Sequence, residues 1–185
     1  MDEAQRGGAM GIQFLSTLEY DSLLELIRPL DTVHNAWVVG GALLRYDSKD
    51  IDVVLHTDSV QGSLKLCHVL CGDVWEIQKV CDVYSKIDVG KDLIIKLVPK
   101  DRTLKVRPVD LLVSSNQMNI GIAKYMHKYF PLDIQEVAVS LMSGVQCGIV
   151  KTDPCIIMLN EGFDDGKYLA KYKKYYPDAK FMQEV

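Results

Sequence analysis

One stretch of the sequence constrains the fold more than any other: residues 38–55, which read VVGGALLRYDSKDIDVVL. An apolar run ends in Gly40 and Gly41, a polar loop follows, and a second apolar run carries Asp50 and Asp52. Short apolar runs bounded by glycine and polar residues are typical of buried strands. We therefore predict a strand, a tight turn at the two glycines, a helix beginning just after them, and a second strand that carries both aspartates.

The chemistry of this stretch suits phosphates and metal ions. Side chains two residues apart in a strand point to the same face, so Asp50 and Asp52 should project together. Carboxylate oxygens suit Mg²⁺, and two such ions can clamp the attacking and leaving oxygens of a phosphoryl transfer. Gly40 and Gly41 have no Cβ, so their N–H groups can approach a triphosphate closely. Taken singly, a glycine pair is often only a turn and Asp-x-Asp an exposed strand. Together, before the apolar residues 53–55, they favour a phosphate-and-metal site.

The periodicity of the other apolar residues predicts helices and strands around this stretch. The predicted helices are Leu18–Leu30, Ser59–Leu70 and Asn116–Phe130, and the predicted strands are Asn35–Val39, Val74–Val80, Leu93–Val98, Leu104–Val113 and one near Cys147–Val150. A turn over residues 99–102 should join two of these strands into a hairpin. That hairpin would bring Asp110 into the same sheet as Asp50 and Asp52.

Length and composition narrow the class of protein. The chain has 185 residues, of which 48% are hydrophobic and 25% are charged, and its net charge is −4. These values favour one folded domain with a small appendage and argue against disorder. The negative charge argues against nonspecific nucleic-acid binding but leaves room for a local basic patch. With no apolar run of about 18 residues and no basic signal-like amino terminus, we expect a cytoplasmic protein without a membrane partner.

The glycine pair followed by Asp50 and Asp52 resembles the nucleotidyltransferases of the DNA polymerase beta superfamily. Those proteins carry a Gly-Gly or Gly-Ser turn, a strand with Asp-x-Asp, and a third carboxylate on a later strand, for which Asp110 is the candidate. GGALLR followed by DID is most similar to the head domain of the branch that contains CCA-adding enzymes and bacterial poly(A) polymerases. That branch has more residues between the turn and the acids. The resemblance covers roughly residues 36–150.

The resemblance also implies residues that hold a nucleotide. The two glycines would approach its phosphates, and Arg45 would hold a β- or γ-phosphate, with a solvated arginine as an equal alternative. Residues 130–144 resemble the family's Arg-Asp-Phe-Thr-Ile-Asn-Ala motif. One alignment places Gln135 at the family's Asn, and the other places Asp133 at its Asp. Neither alignment supplies the arginine.

The fold class implied by the resemblance is α/β (α+β), with a mixed or antiparallel nucleotidyltransferase sheet flanked by helices. We expect residues 1–12 to form a flexible tail, residues 13–152 the nucleotidyltransferase domain, and residues 153–185 a C-terminal extension with a Lys/Tyr-rich helix. Lysines interleaved with tyrosines in that helix favour two alternatives. One is contact with RNA by charge and stacking, and the other is docking of the tyrosines on the core.

The activity implied by the resemblance is transfer of a nucleoside monophosphate from an NTP, either ATP or CTP, to an acceptor hydroxyl with release of pyrophosphate. Asp50, Asp52 and Asp110 would bind two Mg²⁺ ions, or Mn²⁺ in their place, and Asp110 would help to deprotonate the hydroxyl. The expected acceptor is the 3′ end of an RNA, such as a tRNA. Two alternatives stay open: transfer to a small molecule or protein, and a noncatalytic nucleotide-binding module.

Overall fold

The computed structural model describes residues 14–28, 33–45, 47–57, 74–82, 93–114, 121–163 and 166–184. The described residues form four α-helices, which are α1 Thr17–Ile27, α2 Gly41–Leu44, α3 Ile122–Tyr129 and α4 Lys167–Tyr175. They also form nine strands, which are β1 Val33–Val39, β2 Ile51–Thr57, β3 Trp75–Asp82, β4 Leu93–Pro99, β5 Val109–Ser114, β6 Ala138–Ser140, β7 Gln146–Cys147, β8 Ile156–Leu159 and β9 Lys180–Gln183. A 3₁₀ turn spans Asp133–Gln135.

Seven of the strands form one sheet in the order β3-β4-β5-β2-β1-β6-β7. β2 and β5 run parallel, and every other neighbouring pair in this sheet is antiparallel. The prediction of a mixed sheet flanked by helices is therefore confirmed. A separate pair, β8 and β9, runs parallel and was not predicted. Within the described residues, no helix is long and apolar enough to cross a membrane.

The two faces of the large sheet have different neighbours because side chains alternate along each strand. Ile51 and Val53 point to the face covered by α1, where Leu23 and Ile27 are buried with them. A capping box at Ser16 starts this helix. Val54, on the opposite face, packs with residues of α3. Asp52 lies two residues before Val54, so it shares the face of α3 at the end where the strand begins.

Several predicted boundaries were wrong. β1 begins at Val33 rather than Asn35, and the strand predicted near Cys147–Val150 spans Gln146–Cys147. Asp50 was expected inside a strand, but it lies in a bend just before β2, whose first residue, Ile51, donates its N–H to the Pro108 carbonyl at 2.9 Å. The strand predicted from Leu104 begins only at Val109, because the preceding residues bond elsewhere: the Arg107 N–H donates to Glu19 at 3.1 Å.

The helix predicted from Asn116 to Phe130 begins at Ile122 in the structure. Gly121 has φ +86°, which is outside the helical region, so the helix starts after it. The predicted helix is confirmed over its described part, where Tyr125 and Met126 are buried. Residues 115–120, like the predicted helix Ser59–Leu70, lie outside the described residues.

The C-terminal segment docks on the rest of the protein through a third apolar cluster. This cluster joins Leu132, just before the 3₁₀ turn, and Ile134, inside it, to Ile157 and Leu159 of β8 and to Tyr172 of α4. Tyr172 is only 3% exposed. The docking alternative for the Lys/Tyr helix is thus confirmed for Tyr172.

Candidate active site

The glycine turn brings the backbone against one of the predicted carboxylates. Gly40 follows the last residue of β1 and has φ +69°, a conformation that side chains other than glycine rarely adopt. A Cβ built on Gly40 would lie 3.3 Å from Asp52 Oδ2. α2 is a single turn whose Leu43 and Arg45 N–H groups donate to the carbonyls of Gly40 and Gly41. The turn and the Asp52 carboxylate therefore form one wall.

The sheet brings two of the three predicted carboxylates side by side. Asp52 of β2 and Asp110 of β5 are direct partners in the parallel register, so their side chains leave the same face. Asp50 precedes β2 by one residue and is exposed. Among the described residues, no cluster of three or more His, Cys, Asp or Glu side chains is close enough together to hold a metal ion.

Asp110 has a cationic partner that sequence reasoning missed. Lys96 of β4 is its partner in the antiparallel register, and Lys96 Nζ lies 3.0 Å from Asp110 Oδ2. The hydrogen bond to Asp110 raises the pKa of Lys96, burial opposes this, and the charges of Asp110 and Asp50 add to the increase. Lys96 could have been noticed as the one charged residue in the apolar run LIIKLVP.

A second missed group supports the loop before Asp50. Arg107 Nε donates to Glu19 Oε2 at 2.8 Å, and Arg107 Nη1 donates to Ser48 Oγ at 2.7 Å. Ser48 Oγ in turn donates to the Asp50 carbonyl at 3.0 Å. This chain of bonds ties α1, the segment before β5 and the approach to β2 together. No short motif marks it, because its members are far apart in the sequence.

Six of the eight predicted site residues line a cavity of about 560 Å³, which we call the site cavity. One wall is formed by the glycine turn, the end of α2 and the start of β2, and the other by α4. The lining residues are Gly40, Gly41, Leu44, Arg45, Ser48, Lys49, Asp50, Asp52, Gln135, Tyr168, Ala170, Lys171, Tyr172, Lys174 and Tyr175. The volume falls within the range of small-molecule sites.

Arg45 lines the site cavity, but its guanidinium already has partners. Arg45 Nε and Nη2 each donate to an Asp47 carboxylate oxygen at 2.7 Å. These hydrogen bonds raise the pKa of Arg45 and lower that of Asp47. The Arg45 guanidinium also lies 3.7 Å from the centre of the Tyr175 ring. Arg45 therefore links the glycine turn to α4, and its role as a phosphate ligand stays a prediction.

The two other predicted nucleotide-binding residues are placed differently from each other. Gln135 lines the cavity, where it accepts from the Leu132 N–H at 3.1 Å and shares a hydrogen bond with Tyr172. Burial raises the pKa of Tyr172. Asp133 is not among the described lining residues of the site cavity. It accepts from Lys151 and from the Met158 N–H, so it fastens β8 to the 3₁₀ turn.

The residues present fit a hard divalent ion at one edge of the site cavity. Asp50 and Asp52 supply the carboxylate oxygens that Mg²⁺ prefers, and both line the cavity. The glycine turn approaches Asp52 so closely that a Cβ would fill the space beside its carboxylate. Asp110 is adjacent, but one of its oxygens is bound by Lys96. Asp50 and Asp52 are therefore the carboxylates that best fit a divalent ion.

No protein-family model matches the sequence, and no curated protein matches it. Among solved structures, the chain is similar to a CCA-adding enzyme in complex with CTP, with a TM-score of 0.56 and 13% sequence identity. The alignment covers 95% of this chain and 42% of that chain, so the protein spans less than half the length of that enzyme. At this identity the likeness shows the fold, which is nucleotidyltransferase-like. Membership of a particular branch stays a prediction.

Proposed function

We propose that this protein is a metal-dependent nucleotidyltransferase, which moves a nucleoside monophosphate from an NTP to an acceptor hydroxyl and releases pyrophosphate. The observation that carries the proposal is the site cavity itself. A glycine turn and two aspartates on one wall face a helix of lysines and tyrosines on the other. The cavity thus combines groups suited to phosphates, to a divalent ion and to an aromatic base.

The two walls of the site cavity would contact different parts of the nucleotide. Gly40 and Gly41 present backbone without side chains, so phosphates can approach them closely. Lys171 and Lys174 of α4 line the cavity and offset the negative charge of a triphosphate. Tyr168 also lines the cavity, and an aromatic ring at this position suits stacking on a base.

The three aspartates have separate roles in the proposed transfer. Asp50 and Asp52 would hold Mg²⁺, which when bound neutralises charge on the phosphates. Asp110, beside Asp52 in the sheet, takes the proton of the acceptor hydroxyl. The hydroxyl oxygen then attacks the α-phosphorus, the bond from the α-phosphorus to the bridging oxygen breaks, and pyrophosphate leaves.

The donor we propose is ATP or CTP, and the acceptor is the 3′ end of an RNA such as a tRNA. Two observations support this choice. The similar solved structure is described as a complex with CTP. Lys171 and Lys174 of α4 line the site cavity and are exposed, as expected for contacts with a phosphate backbone.

A second candidate function is a noncatalytic nucleotide-binding module, and the ion pair of Lys96 with Asp110 favours it. While Lys96 binds the Asp110 carboxylate, Asp110 cannot take part in a reaction with Asp50 and Asp52. Both candidates predict that the protein binds NTPs with a divalent ion, but only the first predicts turnover.

The experiment that separates them is label transfer from each α-labelled NTP, with Mg²⁺, into small RNAs and into proteins. We expect label on RNA from ATP or CTP, and a loss of at least about 100-fold in Asp52→Asn, as when electrostatic stabilisation of a transition state is removed. Label on protein would move the acceptor. Nucleotide binding without any label transfer would favour the noncatalytic module.

Nucleotide binding itself can be tested with two neighbouring lysines of α4. Lys174 lines the site cavity, whereas Lys173 lies 5.8 Å from the Phe181 ring. We expect Lys174→Met to weaken Mg²⁺-dependent ATP binding by about fivefold, since one charge near the phosphates is lost. Lys173→Met removes the same charge on the same helix and should change the affinity by less than about twofold. Equal effects would contradict the assignment of the cavity.

A further inference from the structure

Four charged residues lie in one row across the large sheet. Lys79 is paired with Lys96, Lys96 with Asp110, and Asp110 with Asp52, each on the next strand. Residues directly opposite each other in a sheet project from the same face, and neighbouring strands are about 4.8 Å apart. Lys79 and Lys96 therefore lie in the same row as Asp110 and Asp52.

The contact inside this row occupies one of the two carboxylate oxygens of Asp110. Lys96 Nζ lies 3.0 Å from Asp110 Oδ2, and the Asp110 side chain is only 19% exposed. Asp50 and Asp52 line the site cavity, whereas Asp110 does not belong to its described lining. An ammonium and a divalent ion compete for the same carboxylate oxygen, because both are cations that bind through it.

We propose that Lys96 is a built-in cation that holds Asp110 away from the divalent ion, so the substrate-free protein binds that ion through Asp50 and Asp52. This inference rests on the proposed function, since it concerns the same site. Lys96 is a positioning residue in this scheme. Its side chain is 42% exposed and has a flexible four-carbon stem, so it can swing towards solvent and release Asp110.

The test is Mn²⁺ binding to the full chain without nucleotide, measured by calorimetry and by electron paramagnetic resonance. Removing the charge of Lys96 in Lys96→Met should tighten Mn²⁺ binding about tenfold, because Asp110 becomes available and a nearby cation is lost. Lys79→Met is the matched control. It removes the same charge one strand further from Asp110 and should change the affinity by less than about twofold.

The double variant Lys96→Met/Asp110→Asn separates the role of Asp110 from a general charge effect. It removes the pair without changing the net charge, and such replacements are often tolerated by the fold. If Asp110 is not a ligand in the substrate-free protein, the double variant binds Mn²⁺ as the wild type does. Much weaker binding by the double variant would mean that Asp110 is already a ligand, which would overturn the inference.

The remaining outcomes distinguish this inference from the proposed function. Mn²⁺ binding that is equal in the wild type and Lys96→Met, but lost in Asp52→Asn, overturns the inference and leaves the proposed metal site standing. Mn²⁺ binding by neither the wild type nor Lys96→Met overturns both. Tighter Mn²⁺ binding by Lys96→Met, together with wild-type affinity in the double variant, supports both the inference and the proposed function.

Discussion

At the scale of single residues, Gly40 sets the distance between the backbone turn and the Asp52 carboxylate. Its φ of +69° belongs to the region that favours glycine, and a Cβ there would press on Asp52 Oδ2 at 3.3 Å. Replacing Gly40 with any other residue should therefore have two separate unfavourable effects. One is backbone strain, and the other is displacement of a carboxylate that we assign to metal binding.

We predict that Gly40→Ala lowers the free energy of unfolding by about 1–3 kcal/mol, the cost of a backbone conformation that residues other than glycine rarely adopt. It should also weaken Mn²⁺ binding, because Asp52 must shift. Thermal denaturation and Mn²⁺ titration measure the two effects. Gly162→Ala is the control, since Gly162 has φ +84° with nothing within 4 Å of the added Cβ. It should lose stability but keep its Mn²⁺ affinity, and equal Mn²⁺ losses would contradict the role of Gly40.

Glu19 is a buried carboxylate whose charge the fold needs. Burial by itself raises its pKa, but the side chain of Arg107 and the N–H groups of Ser16 and Arg107 lower the pKa by more, so it lies below its ordinary value. A carboxyl with a lowered folded-state pKa stabilises the protein above its unfolded pKa. This stabilisation is lost as the pH falls through the folded-state pKa.

We predict that the free energy of unfolding of the wild type decreases between about pH 5 and about pH 3 partly because Glu19 is protonated. Glu19→Gln should cost about 3 kcal/mol at pH 7, because it leaves Arg107 without its charged partner. The variant should also lose less further stability on acidification than the wild type does. Urea denaturation across this range measures both effects, and parallel pH profiles would show that Glu19 has no such role.

At the scale of elements, α4 is held over the glycine turn by a contact between charge and ring. The Arg45 guanidinium lies 3.7 Å from the centre of the Tyr175 ring, and both residues line the site cavity. α4 forms one wall of the site cavity, so a contact between α4 and the opposite wall keeps the width of the cavity fixed. Arg45 and Tyr175 supply that anchor.

We predict a coupling of about 0.5–1 kcal/mol between Arg45 and Tyr175, the value expected for a cation over an aromatic ring near the surface. A double-mutant cycle of Arg45→Met and Tyr175→Leu, read by urea denaturation, measures it. The cycle of Arg45→Met with Tyr168→Leu, another tyrosine of α4 that lines the cavity, provides the comparison. Equal coupling in both cycles would contradict a specific contact.

At the scale of the whole molecule, the C-terminal strands and α4 share buried surface with the central part of the chain. Ile157 of β8 is fully buried against Leu132 and Ile134, and Tyr172 of α4 completes this cluster. The Asp133 carboxylate adds hydrogen bonds to the same junction. We therefore expect the C-terminal strands to unfold together with the large sheet.

We predict that Ile157→Ala lowers the free energy of unfolding by about 3 kcal/mol through loss of buried area and a residual cavity. Ile156→Ala is the control, because the neighbouring Ile156 is 49% exposed and should cost less than about 1 kcal/mol. Circular dichroism and tryptophan fluorescence should report one coincident transition in the wild type. Two separated transitions would show that the C-terminal segment folds independently.

The sequence by itself determined the local features of the site. Alternation along a strand is a property of neighbouring residues, so the buried sides of β2 and β5 could be predicted from it. A positive φ at the turn could be anticipated from the glycine pair for the same local reason. The amphipathic character of α1 and α4 also follows from short-range periodicity.

Only the tertiary structure decided which distant groups became partners. The parallel register of β2 and β5 pairs Asp52 with Asp110, and the β4–β5 register pairs Lys96 with Asp110. The bond from Arg107 to Glu19 joins residues 88 apart in the sequence. The order of strands in a sheet is set by the packing of the whole chain, so no local pattern specifies these pairs. For that reason the acids could be predicted from the sequence, whereas the pairing of Lys96 with Asp110 could not.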